Sequence, residues 1–254
     1  MIDIHCHILP GVDDGPESIE ASLMMAREAV KEGIKTIIAT PHHRNNSYEN
    51  KKSEILAEVS KLNSILLKEN IPLEILPGQE NRIYGEIIKD YKNGEILTLS
   101  NTNYLFIEFP SSTVPRYSER LLYEIQIEGL TPVIVHPERN KELLENPNLL
   151  YSLVNNGALT QVTAGSIAGY FGKKIQRFSK QLIEHNLTHF VASDAHNTNN
   201  RSFKLIEAFE EIEKDFGGDY SYLFTENSEL LLGNKTIFRQ LPEQIKKKKF
   251  LGIF

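Results

Sequence analysis

The chain has 254 residues, 40% of them hydrophobic and 24% charged, which is ordinary for a globular protein that buries a core. With 28 basic and 34 acidic side chains its formal charge is −6, and this argues against a general nucleic-acid binder, which would show a basic footprint. Cys6 is the only cysteine, which excludes an internal disulfide.

The N-terminus shows no signal-peptide pattern, and no window approaches the roughly 18 to 20 apolar residues of a membrane-spanning helix. A cytoplasmic protein without a transmembrane segment is therefore expected. In chain order, short β-rich apolar runs at residues 2–6, 36–40, 73–77, 104–109, 132–135, 159–163 and 189–193 read as strands. Amphipathic stretches lie between them. Ile19, Leu23, Ala26 and Val30 share one helical face, as do Ile55, Val59, Leu62 and Leu66. Pro16 fits the first turn of the first helix and Gly33 its end. No linker or low-complexity segment interrupts this rhythm, so residues 1–254 read as one domain. Seven alternations imply parallel strands joined by helical crossovers, hence an α/β sheet or barrel, one unit short of the standard eight. The basic tail at about 243–254 reads as a solvated end, with a docking arm for an acidic partner or anionic membrane as the alternative.

The metal-type residues cluster at strand ends. His5 and His7 alternate on the first strand, so both can reach one ion. Asp13 and Asp14 follow in the adjoining loop; either can cap the next segment while the other binds metal, and Asp14 is preferred as the ligand. His42 and His43 come after the second strand, Gln79 and Glu80 after the third. Glu108 ends the fourth, His136 the fifth, and Asp194 and His196 the seventh. Six of seven strands thus deliver a histidine or carboxylate at the C-terminal end, where parallel α/β folds carry their sites. His43 is assigned to solvent or substrate, His185 to a helix end, and His189 to the start of a strand on the opposite face. Cys6, between His5 and His7, should face away into packing. A cysteine phosphatase would place an arginine six positions later, and that position is Val12.

The segments His5-Cys6-His7-Ile8-Leu9-Pro10-Gly11-Val12-Asp13-Asp14-Gly15, Thr40-Pro41-His42-His43, Gly78-Gln79-Glu80, His136-Pro137-Glu138-Arg139-Asn140 and Ser193-Asp194-Ala195-His196 resemble the polymerase-and-histidinol-phosphatase (PHP) superfamily. More narrowly, they are similar to its bacterial protein-tyrosine phosphatases of the YwqE/CpsB type, over essentially the whole chain. The resemblance implies a distorted seven-stranded, TIM-barrel-like fold holding up to three divalent ions, with manganese the expected activator. It implies one ion on His5, His7, Glu80 and Asp194, and a second sharing Glu80 with Glu108 and His136. A third would take Asp14, His42 and His196, with Arg139 and Arg201 gripping phosphate. The implied substrates are phosphotyrosines on bacterial tyrosine kinases, or their membrane adaptors, in capsule or exopolysaccharide synthesis.

The nitrogen and oxygen donors suit Mn, Fe, Zn or Mg and do not choose among them. Three divalent ions, the four carboxylates and a bridging hydroxide leave the site near about +1, which attracts a phosphate dianion. The expected chemistry is in-line attack of metal hydroxide on phosphorus, with no phosphoenzyme. Two other readings fit the same residues: a histidinol-phosphate or other small phosphomonoester phosphatase, and a non-catalytic, metal-stabilised interaction module.

Overall fold

In the computed structural model, which describes residues 1–246, each of the seven apolar runs contributes a strand, and two short strands add to them. β1 (Ile2–Cys6) leads through α1 (Ile19–Lys31) to β2 (Thr36–Ala39), and β3 (His42–His43) follows at once. α2 (Lys52–Lys68) precedes β4 (Glu74–Pro77) and β5 (Glu80–Arg82); α3 (Ile87–Lys92) precedes β6 (Tyr104–Glu108). α4 (Ser118–Ile127) leads to β7 (Thr131–Val135), and α5 (Lys141–Glu145) and α6 (Pro147–Asn155) lead to β8 (Leu159–Thr163). α7 (Ala164–Ile167) and α8 (Lys173–Glu184) precede β9 (Phe190–Ala192), and α9 (Leu205–Phe216) and α10 (Gly218–Leu232) follow. Most of the basic tail lies outside the described residues. No described helix is long and apolar enough to cross a membrane.

Every pairing between these strands is parallel, as the crossovers require. The expected seven-stranded barrel does not close, however. The strands form two sheets, ordered β1-β2-β4 and β3-β5-β6-β7-β8-β9. The division falls where two chain segments break together. Pro41 between β2 and β3 has no N–H for a ladder, and Gly78 between β4 and β5 packs so closely that a Cβ would stand 2.6 Å from Ile38 Cγ2. Pairing runs to Ala39–Pro77 in one sheet and resumes at His42–Glu80 in the other. At the other junction β1 meets the end of β9 through one bridge, Cys6–Ala195, flanked by His7 N–H to Ala195 O (2.9 Å) and Asp194 N–H to His5 O (2.8 Å).

Packing follows the pattern read from the sequence, with one shift. Ile55, Val59, Leu62 and Leu66 are all buried on α2, each contributing about 2 kcal/mol of apolar transfer. On α1 the buried face is Ser22, Met25, Ala26 and Ala29, so the stripe is rotated from the expected one and Ile19, Leu23 and Val30 lie at its margin. Ser18 caps α1, with its hydroxyl accepting from Ala21 N–H, and Pro16 therefore precedes the helix instead of opening it. Gly33 follows the helix at φ +73°, as a C-terminal stop requires. Six strands share a smaller apolar cluster (Ile4, Ile38, Phe106, Val133, Leu159, Phe190), which Leu231 of α10 joins.

Candidate metal centre

The strand termini converge as the parallel topology dictates. His5 lies in β1 and His7 just beyond it; His42 and Glu80 belong to β3 and β5, not to loops; Glu108 ends β6. His136 follows β7, and Asp194 and His196 follow β9. His136 and Asp194 both adopt positive φ, +35° and +52°, a conformation that non-glycine residues hold only under surrounding constraint.

Glu80 stands at the middle of the cluster. Its Oε2 is 2.8 Å from His42 Nδ1, 3.3 Å from His7 Nε2 and 3.6 Å from His5 Nε2, and its Oε1 is 2.7 Å from His136 Nε2. Asp194 Oδ1 lies 3.4 Å from both His5 Nε2 and His7 Nε2. Asp14 Oδ1 lies 3.4 Å from His42 Nε2 and 3.3 Å from His196 Nε2. Ligand atoms about 2.1 Å from one ion stand about 3 to 3.5 Å apart, so these separations match shared coordination. Donor atoms gather in three groups: His5, His7 and Glu80; His42, Glu80 and Glu108; and His7, Asp14, His42 and His196. This partition differs from the implied one in three respects, the first being that Asp194 falls outside the group of His5, His7 and Glu80. His7 joins the third group because its ring stacks on His196 at 3.7 Å. His42 takes the place of His136 in the second, because His136 is turned toward the other oxygen of Glu80.

The donor atoms also fit ions by what they lack. His42 Nδ1, Glu80 Oε2, Glu108 Oε2 and His196 Nε2 are buried and, close as their oppositely charged neighbours are, none makes a well-aligned hydrogen bond among the described residues. Four such atoms facing one centre would be costly without a ligand.

Neighbouring groups fix which ring nitrogen faces the centre. Asp13 Oδ2 lies 2.6 Å from His7 Nδ1 and accepts from His42 N–H at 3.1 Å, while its Oδ1 accepts from Gly15 N–H at 3.0 Å. Asp13 therefore orients His7 and leaves Nε2 for the centre, and Asp14 carries the facing carboxylate. Gln161, on the one strand expected to contribute nothing, places Oε1 2.8 Å from His5 Nδ1. Asp194 O lies 2.9 Å from His196 Nδ1. Asp3, fully buried, accepts from Ser193 N–H (2.9 Å) and hydroxyl (2.5 Å) and so pins the loop that bears Asp194. Such partners orient ligands and are worth roughly 10- to 100-fold in metal affinity. Asp13→Asn is accordingly expected to weaken divalent-ion binding by about that factor in calorimetric titration; unchanged affinity would remove Asp13 from this role.

Burial and mutual charge set the protonation of the metal-free centre. Burial opposes a charge on His42, yet the Glu80 and Asp14 carboxylates push its pKa up to about 10. Burial, reinforced by the Glu80 charge, raises Glu108 to about 7. Burial lowers His136 and His196 to about 4, aided by Arg139 and His7 respectively. An ion must displace the protons held by His42 and, below neutrality, by Glu108. Apparent divalent-ion affinity is therefore expected to rise at least about tenfold per pH unit between about pH 6 and 8, more steeply below about pH 7 where Glu108 also gives up a proton, and a flat profile in the same titration would contradict it.

Arg139 and Arg201 flank the cluster. Arg139 Nη2 donates to Asp194 Oδ2; Arg201 reaches Asp194 Oδ2 at 3.4 Å and Asp14 Oδ2 at 3.1 Å. Both line a cavity of about 280 Å³ with His42, Glu108, His136 and Asp194. Arg82, not singled out in the sequence, stands behind Glu108 (3.3 Å) and donates to Phe109 O (2.9 Å). His43 is fully buried on the other side of β3, which removes a solvent-facing role. His185 ends α8 with Nδ1 2.9 Å from Gln181 O, and His189 precedes β9 with Nδ1 accepting from Thr160 N–H. Cys6 is fully buried in the core, its thiol donating to Ala195 O at 3.5 Å, and burial raises its pKa. A thiol held neutral is a poor nucleophile. Cys6→Ser is expected to keep most of the activity, and near-total loss at unchanged metal content would overturn this assignment.

Comparison with known proteins agrees with the geometry. The family model for capsular polysaccharide synthesis, CpsB/CapC, matches residues 1–233. The chain is 54% identical over 254 residues to tyrosine-protein phosphatase YwqE of Bacillus subtilis (strain 168), covering 100% of each. It is 35% identical over 243 residues to tyrosine-protein phosphatase CpsB of Streptococcus agalactiae serotype III, covering 93% of this chain and 100% of the relative. A crystal structure from work on YwqE and Streptococcus pneumoniae CpsB, described there as unique metal-dependent tyrosine phosphatases, superposes with a TM-score of 0.96. It is 55% identical, and the match covers 97% of this chain and 100% of that one. On this evidence, the chain belongs to the CpsB/CapC family of capsular polysaccharide synthesis.

Proposed function

We propose that this protein is a metal-dependent protein-tyrosine phosphatase with a centre of up to three divalent ions, manganese foremost. The observation that carries the reading is the convergence of His5, His7, His42, His136, His196, Asp14, Glu80, Glu108 and Asp194 beside Arg139 and Arg201 at one end of the parallel strands. Divalent ions in such a site bring the pKa of water toward about 7 and offset charge on the attacking and leaving oxygens. The chain's own residues supply the rest. Arg139 and Arg201 present fixed guanidinium donors to a phosphate dianion. Glu80 spaces the histidine nitrogens around it, and Asp13 and Gln161 hold the tautomers of His7 and His5. With Cys6 in the core, the reading has water attack phosphorus directly and no side chain carry the phosphoryl group.

The substrates fitting the family membership are phosphotyrosines on a bacterial tyrosine kinase, or on its membrane adaptor, that governs capsule or exopolysaccharide synthesis. The test is a chelator-stripped protein assayed on phosphotyrosyl peptide and on histidinol phosphate, with and without added manganese. Manganese-restored hydrolysis favouring the peptide is expected. A preference for histidinol phosphate would move the protein to small phosphomonoesters, and no hydrolysis of either would leave a metal-stabilised interaction module.

A further inference from the structure

Arg139 meets two unlike partners. Its Nη2 donates to Asp194 Oδ2, and its guanidinium carbon lies 5.4 Å from the centroid of the Phe171 ring. We propose that Phe171 is a positioning residue that fixes the guanidinium plane of Arg139 for phosphate binding. The proposal rests on the reading of Arg139 as a phosphate-holding group. An aromatic face attracts a cation electrostatically and makes no claim on its in-plane donors. Of the five N–H donors of an arginine, Asp194 occupies one, and Nε has no hydrogen-bond partner among the described residues. A single ion pair holds one nitrogen but leaves the plane free to turn about it. The ring supplies the second restraint while leaving the remaining edge for a ligand in the cavity that Arg139 lines.

The chain is arranged locally to make this contact. Gly169 and Gly172 adopt φ +92° and +91°, which turn the backbone on either side of Tyr170 and Phe171. Gly165 lets the ring come close, since a Cβ there would stand 3.1 Å from Phe171 Cε2. The turn bearing Arg139, Pro137–Arg139, is tied to the same region by Glu138. Its buried Oε1 accepts from Thr163 N–H (3.1 Å) and from the Ser166 hydroxyl (2.7 Å), on either side of Gly165. Tyr170 is anchored separately, under Lys204 Nζ at 4.4 Å and by its hydroxyl donating to Glu207 at 2.8 Å. Apart from the Asp194 ion pair, both sides of the Arg139–Phe171 contact are thus held by groups outside the metal cluster.

The test is steady-state kinetics of the manganese-loaded full chain on phosphotyrosyl peptide, with inorganic phosphate as a competing probe. Wild type is compared with Phe171→Leu, Phe171→Tyr, Arg139→Ala and the Arg139→Ala/Phe171→Leu double variant. Phe171→Leu, which keeps bulk without a π face, is expected to weaken phosphate inhibition and kcat/KM about tenfold at unchanged metal content, with Phe171→Tyr within about twofold of wild type. In the Arg139→Ala background, Phe171→Leu should have no further effect. Equal behaviour of the Leu and Tyr variants, whether both intact or both impaired, overturns the proposal. So does a double-variant loss equal to the product of the separate losses. Wild-type phosphate inhibition in Arg139→Ala alone would defeat the underlying reading of Arg139 as well, a result distinct from any the Phe171 variants give.

Discussion

Glu80→Gln is expected to lower turnover of a phosphotyrosyl peptide by at least about 1000-fold, since a metal ion's stabilisation of transition-state charge is worth several kcal/mol and each 1.4 kcal/mol is tenfold. Among the described residues no other side chain touches so many of the donors: three histidine nitrogens approach its Oε2 and a fourth its Oε1. Glutamine preserves the shape but turns one oxygen into an N–H donor, which repels a cation and removes one negative charge. The loss should therefore appear first as metal depletion in elemental analysis, with the far-ultraviolet circular dichroism unchanged. A variant that stays metal-loaded and turns over at a tenth of the wild-type rate or better would show that Glu80 is not the hub.

Replacing Arg139 should have the next largest effect. Arg139→Ala is expected to reduce kcat/KM by about 100- to 1000-fold, the scale of losing one charged transition-state donor. Arg139→Lys should recover only part of this, because an ammonium cannot present a planar fork. A second consequence separates this residue from the metal ligands. Asp194 is buried, and without Arg139 its Oδ2 keeps only Arg201 at 3.4 Å. Stripping one partner from a buried pair costs about 3 kcal/mol. The metal-free variant should melt below metal-free wild type, and manganese should narrow the gap as it occupies the facing oxygen. A kcat/KM within about threefold of wild type for the alanine variant would end the phosphate role.

The seven principal strands were legible because their runs are apolar and β-rich, and the metal-type residues stood out by falling at the ends of those runs. β3 and β5 were not, since two or three polar residues carry no periodicity; their existence depends on Pro41 and Gly78 breaking two strands at the same level. The preference for Asp14 over Asp13 had no physical ground in two adjacent identical residues, and the position of His7 Nδ1 beside Asp13 supplies one. Gln161, Arg82 and Phe171 are not metal-type residues and Asp3 lies at the opposite end of β1 from the ligands, so only tertiary contact gives them a place. The buried face of α1 was partly misplaced because a helical wheel weights large apolar residues: Ala26 was placed correctly, but Ser22, Met25 and Ala29 are buried where Ile19, Leu23 and Val30 were expected.

The junction where Asp3 accepts from Ser193 and Cys6 bridges Ala195 joins positions about 190 apart in the chain. Contacts so distant in sequence form late and slowly, because loop closure must precede them. During synthesis His5 and His7 leave the ribosome first, yet the centre cannot be assembled until Asp194 and His196 have followed. A chain broken before Asp194 would lack that carboxylate and His196, although His42, Glu80 and Glu108 would already be present. Activity that needs the whole centre is then expected only from a chain that extends past His196, and a fragment ending short of it is expected to be inactive toward phosphotyrosine.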